Sequence, residues 1–225
     1  MAALDLYWFD LEADAAHRAV WRTWLSSEER ARADRLVVPL HGWRYTAAHA
    51  HLRWLLAQRL GYAPADLEFE RGPHGKPSLR GLPLHFNLSD SGTLGLAGVH
   101  ATIELGVDIE AVRADRDALR LARRFFTDSE TAWLEAQPAA DRAHAFCRLW
   151  TCKEAWMKAD GRGLALPLHH AEVTFSAGAA GLCSVGPPAR AWYVRELKLA
   201  GGYAAAVVMA GPPEAVTVAK LTIPA

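Results

Sequence analysis

Leu88-Ser89-Asp90-Ser91-Gly92-Thr93-Leu94-Gly95-Leu96-Ala97-Gly98-Val99 and Leu197-Lys198-Leu199-Ala200-Gly201-Gly202-Tyr203-Ala204-Ala205-Ala206-Val207-Val208-Met209-Ala210-Gly211 share one plan: a glycine-bearing turn, then a strand of small residues. Outward from each copy the same order of elements recurs. Before the first, Ala47, Ala48, Leu52, Leu55, Leu56 and Leu60 repeat every three or four residues, predicting an amphipathic helix over Trp43 to Leu60 closed by Gly61. Strands are then predicted near Leu67–Glu70, Leu84–Leu88 and Thr93–Val99. Before the second copy, a helix is predicted over Ala143 to Asp160, stopped by Gly161 and Gly163. Strands follow at Ala171–Phe175, Ala191–Leu199 and Tyr203–Met209.

Helix, strand, strand, strand thus occurs twice. The expected fold is α+β, an internally duplicated pair of similar subdomains, 1–105 and 106–225. A further strand, Ile103 to Ile109, would join them, with a cleft between. An unrelated pair of α+β halves is the plainer alternative. Two shorter helices carry capping-box spacing: Ser26 with Glu29, running to about Leu36, and Thr127 with Glu130, ending near Pro138.

Composition narrows the classes. The chain has 225 residues, 51% hydrophobic and 22% charged, which excludes disorder and fibrous repeats. Lys+Arg and Asp+Glu are 25 each, so no overall field exists to hold nucleic acid or an anionic membrane. Lysine stands only at Lys76, Lys153, Lys158, Lys198 and Lys220, which gives each position weight. Cys147, Cys152 and Cys183 form no CxxC pair and fit a reducing compartment. The start MAALDLYWFDLEADAAHR has neither a basic opening nor an apolar core, so it does not read as a secretion signal; a cytoplasmic setting is expected.

Three constellations could carry chemistry. In Gly106-Val107-Asp108-Ile109-Glu110, strand alternation puts Asp108 and Glu110 on one face. Such a pair is either half of a site for a hard cation such as Mg²⁺ or two solvated acids at a strand end. In Trp150-Thr151-Cys152-Lys153-Glu154-Ala155-Trp156-Met157-Lys158, Trp150, Glu154 and Lys158 fall at i, i+4 and i+8. That row is a surface Glu–Lys pair beside core aromatics, or an acid and a cation suited to phosphoryl chemistry. The first half supplies anion-binding equipment: Arg44, the turn Gly72-Pro73-His74-Gly75-Lys76-Pro77, and Asn87 to Gly92. No GxxxxGK[ST], GxGxxG, GxSxG or HExxH occurs. Cys152 reads as a packed helical cysteine.

In order, the segments RGPHGKP (71–77), HFNLSDSG (85–92), GVDIEAVR (106–113), RRFFTDSE (123–130) and FCRLWTCKEAWMKADGRGLALPL (146–168) resemble 4′-phosphopantetheinyl transferases of the larger, surfactin-synthetase-activating (Sfp) type. The spacing from DIE to WTxKEAxxK is long and specific. The resemblance implies a pseudodimer, usually monomeric, binding coenzyme A and Mg²⁺, with Mn²⁺ as a possible substitute. It implies transfer of the phosphopantetheine arm to a serine of an apo acyl or peptidyl carrier protein, in fatty acid, polyketide or nonribosomal peptide biosynthesis. Adenosine 3′,5′-bisphosphate would leave. By the same match Asp108, Glu110 and Glu154 would hold the metal, Glu154 would also be the candidate base, and Lys158 would clamp the phosphates. Arg44, Lys76 and Ser89 match positions at the adenosine and 3′-phosphate end, with Gly75 and Pro77 shaping the turn. Phe125 and Phe126 would lie in the core and Thr127 would be a cap. One position departs: where the family often has NxSHS, this chain has Asp90 for the histidine, an acid expected to repel the 3′-phosphate. A non-catalytic coenzyme A- or carrier-binding paralogue is the alternative this departure suggests. A nucleotide pyrophosphate hydrolase would rest on the carboxylates alone.

Overall fold

A computed structural model describes residues 3–12, 17–163, 166–176, 179–184, 191–199 and 201–223. Leu164 and Ala165 of the glycine-rich segment after the second long helix, and Ala200 of the second small-residue copy, lie outside them. The first half runs β1 (Leu4–Asp10), α1 (Arg18–Trp24), α2 (Ser27–Asp34), α3 (Pro39–Leu60), β2 (Phe69–Arg71), β3 (Pro77–Leu79), β4 (His85–Ser91) and β5 (Leu94–His100). The second runs β6 (Leu105–Ala111), α4 (Ala118–Phe125), α5 (Asp128–Glu135), α6 (Arg142–Asp160), β7 (Ala171–Ser176), β8 (Ala179–Ser184), β9 (Ala191–Glu196), β10 (Tyr203–Met209) and β11 (Val216–Lys220). The fold is mixed α+β.

Local chemistry fixes the helix ends. Both capping boxes are complete: Ser26 Oγ accepts from Glu29 N while Glu29 accepts from Ser26 N, and Thr127 and Glu130 do the same. Gly61 and Gly161 end α3 and α6 in the left-handed region, at φ of 74° and 86°. The sequence places the start of α3 too late. Pro39 occupies its first turn, where a missing N–H costs nothing, and Gly42 lies inside the helix, where a Cβ would stand 2.8 Å from Ala33 O. Pro39 and Gly42 are therefore helix residues, and α3 begins four positions before the expected Trp43.

The described strands form a four-stranded sheet, β11-β1-β5-β4, a five-stranded sheet, β6-β10-β9-β8-β7, and the β2-β3 ribbon. Five described strands, not three, follow α6: β8 is added between β7 and β9, pairing antiparallel with both despite its small-residue sequence, and β11 is added at the end. β11 crosses back and pairs parallel with β1, Leu4 opposite Val216.

Three cores result. Against β1, β4 and β5, α3 buries Ala47, Ala48, Leu55 and Leu56 with Trp21 and Leu25. Against β10, α6 buries Phe146, Leu149, Cys152 and Trp156 with Ala204, Ala206 and Val208; Phe126 joins this core and Phe125 packs on it. The sheets share a third core: Leu4, Leu6, Leu94 and Leu96 meet Leu105, Val107, Ile109 and Val207. On β6 the odd positions thus enter the inter-sheet core, and Gly106 lies against α6, with the Asp108 carboxylate on Lys158 of the same helix. No described helix is long and apolar enough to cross a membrane.

Candidate active site

Asp108 is buried at 5% exposure where β6 passes under α6. Its Oδ1 accepts from Ser89 Oγ at 2.8 Å and from Lys158 Nζ at 2.7 Å, and Lys158 also donates to Ser89 Oγ at 2.9 Å and Val107 O at 3.2 Å. Oδ2 is buried with no hydrogen-bond partner. Burial raises the Asp108 pKa, which Lys158 and then Ser89 oppose.

Glu154 stands one helical turn before Lys158 on α6. Its pKa is pushed up to about 7, first by burial and then by the Asp108 charge, with Glu110 adding to the rise and Lys158 opposing it. Glu110, half-buried, accepts from Ser91 Oγ at 3.2 Å and from Arg116 at 3.5 Å. Glu154 therefore senses the charges of Asp108 and Glu110 across the α6–β6 contact.

An orphaned buried carboxylate oxygen beside two further carboxylates is a donor set that fits a hard divalent cation taking oxygen ligands. Among the described residues no group of three or more His, Cys, Asp or Glu is arranged to hold a metal ion by itself, so a cation here would need substrate oxygens to complete its ligands. In this arrangement Lys158 supplies the positive charge.

A cleft of about 810 Å³ opens beside this joint, walled by α2, α3, the β2–β3 ribbon, β4 and the C-terminal end of α6. Gly75, Lys76, Pro77, Asp90 and Lys158 line it, as do Arg32, Tyr45, His49, Arg71 and His74. Gly75, at φ 86°, makes the ribbon turn, its N–H donating to Gly72 O at 2.9 Å, and Pro77 pairs with Arg71. Lys76 Nζ is held by Glu104 and by Leu105 O at 3.2 Å. Arg44 on α3 donates from Nε to Glu12 at 3.0 Å, and its charge reaches Asp90. Ser89 lies in the joint, its hydroxyl spent on Asp108, Lys158 and Ile109 N.

Asp90 is exposed and opens onto the cleft. Desolvation by neighbouring protein raises its pKa while His49, Lys158 and Arg44 draw it down. The histidine absent from position 90 has a neighbour on α3: His49, whose Nδ1 meets Tyr45 O at 3.0 Å and whose ring stacks on Tyr45 at 3.9 Å. Sequence reading missed Tyr45 and His49. The local signal that marks them is the i, i+4, i+8 row Tyr45, His49 and Arg53 on α3.

A strand carboxylate bonded to a helix lysine, beside a cleft rich in arginine and histidine, suits chemistry on a phosphate-bearing group. A family model described as the 4′-phosphopantetheinyl transferase superfamily matches residues 104–208. The 4′-phosphopantetheinyl transferase HetI of Nostoc sp. is 38% identical over 191 residues, covering 83% of this chain and 79% of the relative. Two Bacillus subtilis proteins, the 4′-phosphopantetheinyl transferases ffp and Sfp, are 30% and 27% identical, each covering 87% of both chains. The chain belongs to the 4′-phosphopantetheinyl transferase superfamily.

Proposed function

We propose that this enzyme transfers the 4′-phosphopantetheine arm of coenzyme A to a serine of an apo acyl or peptidyl carrier protein. The observation that carries the reading is the joint of Asp108, Lys158 and Ser89 at the end of the cleft, with Glu154 titrating near neutrality beside it. Asp108, Glu110 and Glu154 would hold Mg²⁺ or Mn²⁺. When bound, the cation supplies charge neutralisation at the pyrophosphate. The coenzyme A side of the cleft would comprise Arg44, Gly75, Lys76, Pro77 and Asp90, with Ser89 holding the joint beside it.

The transfer balances as follows. The carrier serine oxygen forms a bond to the phosphorus bearing the pantetheine arm. The bond from that phosphorus to the bridging oxygen breaks, and adenosine 3′,5′-bisphosphate leaves with that oxygen. The serine proton passes to Glu154, whose affinity near pH 7 suits a base working at neutrality. Lys158, its ammonium fixed by three acceptors, faces the negative charge that grows on the phosphate oxygens.

The same reading includes an internally duplicated pseudodimer of two subdomains, 1–105 and 106–225, with β11 reaching back onto the first. It also includes a monomer in the cytoplasm serving fatty acid, polyketide or nonribosomal peptide synthesis. The test is to incubate the protein with coenzyme A, Mg²⁺ and apo carrier proteins, with and without chelator, and to weigh the carriers. A chelator-sensitive gain of one phosphopantetheine is expected. Coenzyme A binding with no gain on any carrier would turn the reading to the non-catalytic paralogue.

A further inference from the structure

β4 and β6 run side by side in one direction, yet the sheets meet there through side chains instead of a backbone ladder. The N–H groups of Val107, Ile109 and Ala111 on β6 are accepted by Asn87 Oδ1 at 2.9 Å, Ser89 Oγ at 3.4 Å and Ser91 Oγ at 3.1 Å. Every rung spans the same offset, so the alternation Asn87, Ser89, Ser91 reads directly onto alternate residues of β6. Each edge strand thereby covers the other.

Both serine hydroxyls turn their protons onto the residue just before the bonded N–H. Ser89 donates to Asp108 Oδ1 at 2.8 Å and Ser91 to Glu110 Oε2 at 3.2 Å. A hydroxyl has one proton and two lone pairs, so one serine can accept from the strand and donate to its carboxylate together. Ser89 gives its remaining lone pair to Lys158. A clip needed only to join the sheets would require the acceptors; the donated protons act on the carboxylates. Each serine thus adds a second hold on a carboxylate that already meets a cation, Asp108 on Lys158 and Glu110 on Arg116 at a longer 3.5 Å.

We infer that Ser91, together with Ser89, is a positioning residue that holds Glu110 and Asp108 at a fixed spacing to receive the divalent cation. The inference rests on the metal reading under the proposed function. The test measures Mn²⁺ affinity of the coenzyme A-bound enzyme by electron paramagnetic resonance. Loss of an outer hydrogen bond to a metal ligand commonly weakens the metal about 10–100-fold. Ser91→Ala is expected to weaken Mn²⁺ by about tenfold, and Ser91→Thr, which keeps the hydroxyl, to stay within about threefold of wild type. Affinity for coenzyme A without metal should be unchanged in both. Should Ser91→Ala not fold, Ser91→Cys, a poorer donor of similar size, is read the same way. Wild-type Mn²⁺ affinity in Ser91→Ala or Ser91→Cys would overturn the inference, even with a lower melting temperature. Failure of the wild-type enzyme to bind Mn²⁺ would instead overturn the metal reading, and the positioning role with it.

Discussion

Gly106 of β6 lies so close beneath α6 that a Cβ on it would stand 2.0 Å from the carbonyl oxygen of Ala155 and 2.4 Å from Ala159 N. The obstacles are helix backbone, so no side-chain rotation relieves them. This contact sets the distance between the strand carrying Asp108 and Glu110 and the helix carrying Glu154 and Lys158. Gly106→Ala should therefore cost stability by about 1–3 kcal/mol, as overpacking does. Transfer should fall much further than stability does, at temperatures where the variant is fully folded. Urea unfolding and kcat on the same preparation check this; a folded variant with near-normal kcat would show that the α6–β6 distance is not critical.

Glu154→Gln should abolish carrier modification and leave the fold intact. Its effect on the metal-free protein depends on pH. With the folded pKa raised to about 7, the folded chain keeps a proton the unfolded chain releases near 4.5. The associated stability is fully present below about pH 4.5 and lost as pH rises toward about 7. The variant removes that loss. After discounting for solvent, it should be about 1–2 kcal/mol more stable than wild type near pH 8, and equal to it near pH 4.5. Thermal melts in chelator across that range would reveal the difference, and parallel curves would contradict it.

Lys153 and Glu130 form a fully buried ion pair at 2.7 Å. Lys153 spends its other protons on Leu168 O and Ala171 O, while Glu130 accepts from Thr127 N and Val173 N. Burial lowers the lysine pKa and the Glu130 charge raises it. Lys153→Met leaves a lone buried carboxylate and should destabilise by about 3–5 kcal/mol. Adding Glu130→Gln, which removes the charge and keeps one of the two acceptor oxygens, should restore part of that loss. Denaturant midpoints of the single and double variants decide it; a double variant worse than the single would refute the charge argument.

Asp90 brings a negative charge to the cleft wall between His49 and Lys158. Asp90→His should raise the preference for coenzyme A over its 3′-dephospho form by about tenfold, since a like charge within a few ångströms costs about 1 kcal/mol or more. Comparing kcat/KM for the two substrates measures it. Equal discrimination in wild type and variant would mean the 3′-phosphate lies elsewhere.

The site was partly legible in advance. Asp108, Glu110, Glu154 and Lys158 stood out because strand alternation and helical spacing are local rules; Asp108 meets Lys158 directly, and Glu154 lies near enough for the charges of Asp108, Glu110 and Lys158 to act on it. Ser89 was read toward the ligand, whereas its hydroxyl is buried between the strands. Ser91 stood within the Asn87 to Gly92 stretch read toward an anion, and its bonds to Glu110 and Ala111 depend on β6 lying alongside, which no local rule reports.

By itself the sequence determined the helix ends, through Ser26 with Glu29, Thr127 with Glu130, and the stops at Gly61 and Gly161, and it determined the ordered motifs that mark the family. These depend on residues a few positions apart, where the geometry is set by one turn of backbone. Only long-range packing set that β11 returns to β1, that β8 inserts between β7 and β9, and that Asn87, Ser89 and Ser91 stitch β4 to β6. Those choices depend on which sheet edges and apolar faces remain free once distant elements have packed, and no short stretch of chain encodes that.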